Sequence, residues 1–314
     1  MTERHRAFWA LIACVLFWGL SFISIKVTIP VFPPMTLGLF RFILALAFLF
    51  FIKLKFAPGE RLRLRDIPLL CGAGITGVTL YFFCENNGVA LVTASEASII
   101  TGAIPVLTMT AEWAGGRISR RRPVRANPAA LPPERLGCRR WLGAFISMAG
   151  VWMVAGAAFA LSGSLLGYAY MGGAALSWVA YCFLTRPLFA QCSRIYIVFW
   201  QSLFGAAGFL PFAIAEYPQW NQPDIPVLLH IVFLGICCSA LGYWLYAHSL
   251  EVLGVSVSSV FINFIPMITV IAGFFILGER LTILQWAGAV LVVSGVYLAM
   301  GKTKIREHSG SSPA

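Results

Sequence analysis

The residues of this chain that could do chemistry are few, and they recur. At a constant spacing of 161, Ser98, Pro105 and Thr108 are answered by Ser259, Pro266 and Thr269. On a helical wheel Ser95, Ser98, Thr101, Gly102, Pro105, Thr108 and Glu112 fall in one sector of about 140°, and the equivalent sector of the second copy holds Ser256, Ser259, Ile262, Asn263, Pro266, Thr269 and Gly273. Each stripe is small and polar with a proline at its centre. Proline removes one helical hydrogen bond and frees a carbonyl. Such a stripe is either a cavity wall, with hydroxyls and a kinked backbone turned to a small molecule, or a seam of small residues for close helix packing. The recurrence around the proline favours the cavity.

Charged residues inside the apolar stretches are the second chemical feature, because each costs about 2.5–3.5 kcal/mol near a bilayer centre. Lys26, Arg41, Glu85 and Glu96, with Asn86 and Asn87, are expected together near the outer end of the first half. The second half has Gln201 for Arg41 and Tyr246 for Glu85, so the cluster is asymmetric. It reads as structural ion pairs, as an outer gate, or as a carboxylate that exchanges a proton with substrate. Glu112, near the cytoplasmic end of its helix, is expected to reach water. Trp18, Trp178, Tyr181, Tyr243 and Tyr246 stand where they could line a centre suited to an apolar or aromatic molecule. No metal or cofactor framework is visible: the eight cysteines contain no Cys-x-x-Cys pair, the four histidines are dispersed, and no phosphate-binding Gly-x4-Gly-Lys-Ser/Thr loop occurs. With two aspartates, Asp66 and Asp224, and no His-Glu-x-x-His motif, an intramembrane enzyme is disfavoured.

The elements that must position these residues follow from composition. Of 314 residues, 59% are hydrophobic and 11% charged, against about 25% charged in soluble domains. Ten continuous apolar runs, near 8–28, 35–53, 67–88, 94–115, 141–161, 164–185, 195–215, 226–248, 255–277 and 282–301, have the roughly 20-residue length of a membrane-crossing helix. Their apolar residues do not alternate, which excludes a transmembrane barrel. Twenty of the 23 Lys and Arg fall on one side of this ten-span layout; Arg280 is opposite, and Lys26 and Arg41 lie inside spans. Both termini are therefore expected in the cytoplasm of a multi-pass protein in the cytoplasmic membrane. The net charge of +11 records topology and does not imply nucleic acid.

The chain is written twice. Trp18 pairs with Trp178 and Lys26 with Arg186 at a spacing of 160, and Asp66-Ile67-Pro68 with Asp224-Ile225-Pro226 at 158. Glu134-Arg135-Leu136 repeats as Glu279-Arg280-Leu281, and Gly143 and Gly150 as Gly288 and Gly295, at 145. The drop from 161 to 145 marks 16 extra residues in the first copy, a basic cytoplasmic insert at about 117–133. Five spans per copy is an odd number, so the second copy enters from the other side. The expectation is an all-α integral membrane protein of ten helices in two inverted repeats, 1–161 and 162–301, with a cytoplasmic tail at 302–314. Inverted repeats of this kind hold substrate near the bilayer midplane between them.

Trp18-Gly19-Leu20-Ser21-Phe22, Arg41-Phe42, Glu85-Asn86-Asn87-Gly88, Thr93 to Ser98 with Pro105, Ser259 to Pro266 and Gly278-Glu279-Arg280-Leu281 together resemble EamA-type transporters of the drug/metabolite transporter superfamily. The resemblance spans roughly residues 8–301. It implies ten helices, a cavity lined mainly by helices 1, 3, 4, 6, 8 and 9, and transport of small metabolites, often export. The reading is a secondary transporter of small organic molecules such as amino acids or drugs, working by alternating access without a cofactor. A non-transporting membrane scaffold or lipid-handling protein is the alternative. The partners implied are a small-molecule substrate and membrane lipids. Proton coupling through Glu85 or Glu96 is left open, as are substrate, direction and oligomeric state. The substrate-site candidates are Trp18, Ser98, Thr101, Pro105, Trp178, Tyr181, Tyr243, Tyr246, Ser259, Asn263 and Pro266. The gate or coupling candidates are Lys26, Arg41, Glu85, Asn86 and Glu96.

Overall fold

The computed structural model describes residues 2–92, 94–121, 137–156, 164–277 and 282–300. Both Glu-Arg-Leu motifs, most of the 117–133 insert and the 302–314 tail lie outside the described residues. The described chain is helical throughout, and its helices fall one on each apolar run. They are α1 (Glu3–Thr28), α2 (Pro34–Phe56), α3 (Leu64–Leu91), α4 (Ala94–Thr101 and Ile104–Arg121), α5 (Cys138–Gly156), α6 (Leu165–Thr185), α7 (Arg194–Glu216), α8 (Ile225–Leu253), α9 (Val255–Val260 and Phe264–Leu277, joined by a 3-10 turn) and α10 (Ile283–Ala299). Among the described residues six of these stretches are long and apolar enough to cross a membrane on length and composition alone.

Local sequence sets the helix starts. Thr2, Ser164, Ser193, Asp224 and Thr282 each accept a backbone N–H of the first turn, as short polar N-caps do. Gly254, at φ 85°, separates α8 from α9 in a conformation that disfavours every side chain. Large apolar side chains such as Phe51, Trp152, Ile214 and Tyr297 are exposed on the outside, while Arg41, Glu85, Gln201 and Asn263 are buried. That inversion of the water-soluble pattern fits a lipid surround.

Contacts across the bundle show the alternation of direction. At one end, the Arg4 guanidinium donates to the Met300 carbonyl, the Ser193 N–H to Glu60, and Arg194 pairs with Glu251. This is the basic end. At the other, the Thr36 N–H donates to Glu216, Asn221 to the Pro30 carbonyl, and Asn86 to the Pro34 carbonyl. Thus α1 begins at the basic end, whereas its repeat equivalent α6 finishes there. The second copy is upside down.

The α5–α10 seam shows the same symmetry atom by atom. A methyl on Gly150 would lie 2.6 Å from the Gly288 carbonyl oxygen, and one on Gly288 would lie 2.7 Å from that of Gly150. Gly143 and Gly295 meet reciprocally at 2.6 Å. The two equivalent glycine pairs thus meet crosswise, Gly143 on Gly295 and Gly150 on Gly288, as antiparallel helices related by a two-fold axis in the membrane plane require. Trp18 and Trp178, also equivalent, meet edge to face with centroids 5.2 Å apart.

Two features break the helical regularity in both copies. A π-helical segment begins at Ile75 in α3 and at Phe233 in α8, the same 158 spacing as the Asp-Ile-Pro motifs. The first runs six residues to Leu80 and the second nine to Leu241. Those three additional residues are the step from 158 to 161 in the repeat spacing. The second irregularity is the interruption of α4 at 102–103 and of α9 at Phe261–Asn263, just before Pro105 and Pro266.

Because the α5–α10 seam is backbone against backbone, nothing there gives way to a side chain. Gly150→Leu is expected to destabilise the folded protein by about 3 kcal/mol or more, read as a loss of thermal stability in detergent. Gly172→Ala, at a site with nothing within 4 Å of the added carbon, should leave the transition unchanged or raised.

Candidate functional site

The π segments have a consequence for the centre of the bundle. The i→i+5 pattern releases carbonyls from the regular ladder, and side chains from other helices take them up. The Ser177 hydroxyl donates to the Thr76 carbonyl at 2.6 Å, the Tyr243 hydroxyl to the Gly77 carbonyl, and the Trp18 indole N–H to the Cys238 carbonyl at 3.0 Å. Trp18, Trp178, Tyr181, Tyr243 and Tyr246 close into one aromatic cluster, with Trp178 centroids 4.9–5.7 Å from the other four.

A cavity opens beside that cluster, between the two copies. Trp18, Ser21 and Phe22 of α1 line it, with Arg41 of α2, Tyr81, Phe82 and Glu85 of α3, and Thr101 and Ile104 flanking the break in α4. The second copy gives Trp178 of α6, Tyr243 of α8, and Ile262 and Ile265 beside the break in α9. The space is narrow: about 30 Å³ is open to the centres of water-sized molecules, room for about two waters. The helices that line it are the six implied by the resemblance, with α2 added by Arg41.

Two charges face this space. Arg41 is 2% exposed. Its Nε donates to the Ser239 hydroxyl at 2.8 Å, and its guanidinium carbon sits 4.1 Å from the Phe82 ring centroid. Ser239 lies in the π segment of α8, so the irregular backbone helps to place the arginine. Glu85 is also buried and accepts from the Tyr81 hydroxyl at 2.7 Å. Outside the cavity, Asn86 binds α3 to the start of α2 through Pro34, and Glu216 of α7 caps that start through the backbone of Met35 and Thr36. A carboxylate at a helix N-terminus is electrostatically favoured there.

Lys26 with Glu96, and Arg186 with Glu112, sit at the two ends of α4. Glu96 accepts from the Tyr168 hydroxyl at 2.8 Å and lies within electrostatic reach of Lys26. Sixteen residues on, roughly 24 Å along a helix, Glu112 holds Arg186 through both carboxylate oxygens at 2.8 and 3.0 Å. Lys26 and Arg186 are repeat equivalents, and inversion puts them at opposite ends. Glu112 is 3% exposed, so the expectation that it reaches water is corrected: Arg186 folds over it.

The outer cluster expected from sequence therefore divides. Arg41 and Glu85 face the cavity, whereas Lys26 and Glu96 lie apart from it. Of the substrate-site candidates, Trp18, Thr101, Trp178 and Tyr243 are on the cavity wall. Tyr181 and Tyr246 are buried behind Trp178, Tyr181 accepting from the Gln201 amide at 3.2 Å. Pro105 and Pro266 follow the helix breaks without reaching the wall. The Ser259 hydroxyl donates to the Ser256 carbonyl, the Asn263 amide donates 2.7 Å to the Ser147 hydroxyl of α5, and neither residue is on the cavity wall. The Ser98 side chain lies outside the described residues. Ile262, which falls in the small-polar sector of the second copy, is on the wall, and the wall residues beyond that sector and the site candidates are Ser21, Phe22, Tyr81, Phe82, Ile104 and Ile265. The signal for the π segments was present, as a three-residue step inside an apolar run that has no loop to absorb it.

An inverted five-plus-five bundle with irregular helices around a central cavity is the architecture of a membrane transporter. The chain belongs to the EamA-like transporter family, whose pattern matches residues 5–119 and 165–301. It is 25% identical to an uncharacterized transporter of Archaeoglobus fulgidus, over 94% of this chain and 99% of that one. It is 24% identical to a probable terminal-alkyne amino-acid exporter of Streptantibioticus cattleyicolor, over 99% of both chains. A probable amino-acid metabolite efflux pump of Salmonella typhimurium is 27% identical over 97% of each.

Breaking a buried ion pair by removing one partner costs about 3–5 kcal/mol. Glu112→Gln is therefore expected to lower thermal stability by about 3 kcal/mol. The exchanged pair Glu112→Arg with Arg186→Glu should recover part of the loss, measured by thermal unfolding of the purified protein in detergent.

Proposed function

We propose that this protein is a secondary transporter that carries small organic molecules, amino-acid-like compounds among them, out of the cytoplasm by alternating access. The observation that carries this reading is the cavity on the pseudo-two-fold axis, walled by both copies and flanked by the breaks in α4 and α9. The amino-acid class is suggested by the two relatives named for amino-acid export. The narrow cavity corresponds to an occluded state, from which substrate parts the walls as the copies rock against each other.

In this cycle Lys26 with Glu96 forms the gate at one end and Arg186 with Glu112 the gate at the other. Both pairs meet on α4, whose break at 102–103 lets its two halves tilt separately. The membrane is the cytoplasmic one, with the basic end and both termini inside. If the cycle is coupled to protons, Glu85 is the carboxylate to carry them, because it faces the cavity while Glu96 faces Tyr168.

In proteoliposomes loaded with unlabelled amino acids and related metabolites, the protein should drive counterflow of at least one labelled member of the panel. Thr101→Trp, which fills the cavity, should abolish it while the protein still inserts and remains monodisperse. No flux with any compound overturns the transport reading and leaves a scaffold. Topology has its own check. Cys138 is the exposed cysteine among the eight, and an impermeant maleimide should reach it only from the cytoplasmic side. Burial, with the Asp66 carboxylate beside it, pushes the Cys192 thiol up to about 12, so that neighbour should label slowly at neutral pH.

A further inference from the structure

We propose that the cavity recognises a zwitterion, with a carboxylate of the substrate on Arg41 and its ammonium group on Glu85; this rests on the transport reading above. Arg41 is held in one plane by Ser239 at its Nε and by the Phe82 ring on its face. Its Nη1, fully buried, has no hydrogen-bond partner. A buried cationic donor left unpaired is unfavourable, and an anionic ligand group in the cavity relieves it. A guanidinium fixed in this way presents its fork to a carboxylate.

Glu85 supplies the opposite charge on the same wall. Tyr81 occupies its Oε1, and among the described residues no ion pair within 4 Å joins it to Arg41. The two groups are within electrostatic reach of each other but not in contact, so each is open to a ligand in the cavity. A substrate with both signs satisfies each of them and adds no net charge to the membrane interior, where a net charge is costly. An amine alone leaves Arg41 unpaired, and an acid alone leaves Glu85 unpaired.

The rest of the wall selects the body of the substrate. Trp18, Trp178 and Tyr243, with Ile262 and Ile265 opposite, accept an apolar or aromatic side chain. The site is single, because the second copy has Gln201 and Tyr246 where the first has Arg41 and Glu85. Both charges therefore come from one copy, and the pseudo-symmetric cavity receives its ligand in one orientation.

The test compares ligands that share one body, using thermal stabilisation of the detergent-purified full-length protein. L-phenylalanine, L-leucine and L-methionine are the zwitterions, and phenethylamine and 3-phenylpropionate each lack one charge. At least one zwitterion is expected to bind, with phenylalanine at least tenfold tighter than either single-charge analogue. Glu85→Gln should reverse the order of phenylalanine and 3-phenylpropionate, and Arg41→Lys should weaken phenylalanine at least tenfold while phenethylamine is unchanged. Such a reversal is not produced by a merely structural role. Binding of no zwitterion, or equal binding of phenethylamine and phenylalanine by the unaltered protein, overturns the inference without any variant having to fold. Counterflow of an uncharged or singly charged metabolite with every zwitterion inert also overturns it while leaving transport standing. Zwitterion binding with no flux overturns the transport reading alone.

Discussion

Inside a bilayer an unpaired backbone carbonyl has no water to turn to, and that constraint organises this molecule. Irregular backbone is tolerated only where other protein groups satisfy it. The π segments of α3 and α8 accordingly turn freed carbonyls toward side chains of other helices. Ser177, Tyr243 and Trp18 accept the task of pairing the released carbonyls. The aromatic residues that do this are also the residues that wall the cavity. Helix irregularity, cavity and aromatic cluster are one arrangement seen from three sides.

Around that centre the two copies follow different degrees of symmetry. Where the contact is backbone to backbone, as at the α5–α10 glycines, the two-fold is kept to a tenth of an ångström, because a methyl on either side has no room. Where side chains carry charge, symmetry is dropped. Arg41 and Glu85 have Gln201 and Tyr246 as their equivalents, and Glu96 and Glu112 are both on α4 with no acidic counterpart on α9. The equivalents Lys26 and Arg186 keep their charge, yet each finds its carboxylate on the same helix. Packing holds the two copies to a symmetric frame, while the buried charges within it are free to differ.

Much of this was legible in the sequence. Continuous apolar runs mark the helices, and the spacing of repeats marks the inversion. Trp18, Thr101, Trp178 and Tyr243 were marked as candidates and lie on the wall. Ser259 and Asn263 were marked by the same wheel, yet they bond to Ser256 and to Ser147. A wheel gives the face of a helix but not its neighbour: of that sector Ile262 meets the cavity while Asn263 meets α5. Glu112 shows the same limit: its depth is legible, but its partner Arg186, 74 residues later, follows a different apolar run and reads as a loop residue.

By itself the sequence determined what can be set by local composition and periodicity: a lipid-embedded helical chain and its two-fold descent. These depend on solvent and on neighbours along the chain. Which polar groups meet was decided only by the tertiary structure. The division of four interior charges into a cavity pair and an end pair, the clasp of Glu112 by Arg186, and the partners of the freed carbonyls all join helices far apart in sequence. In a medium that solvates none of these groups, each must find its partner within the fold, and the fold alone determines where that partner is.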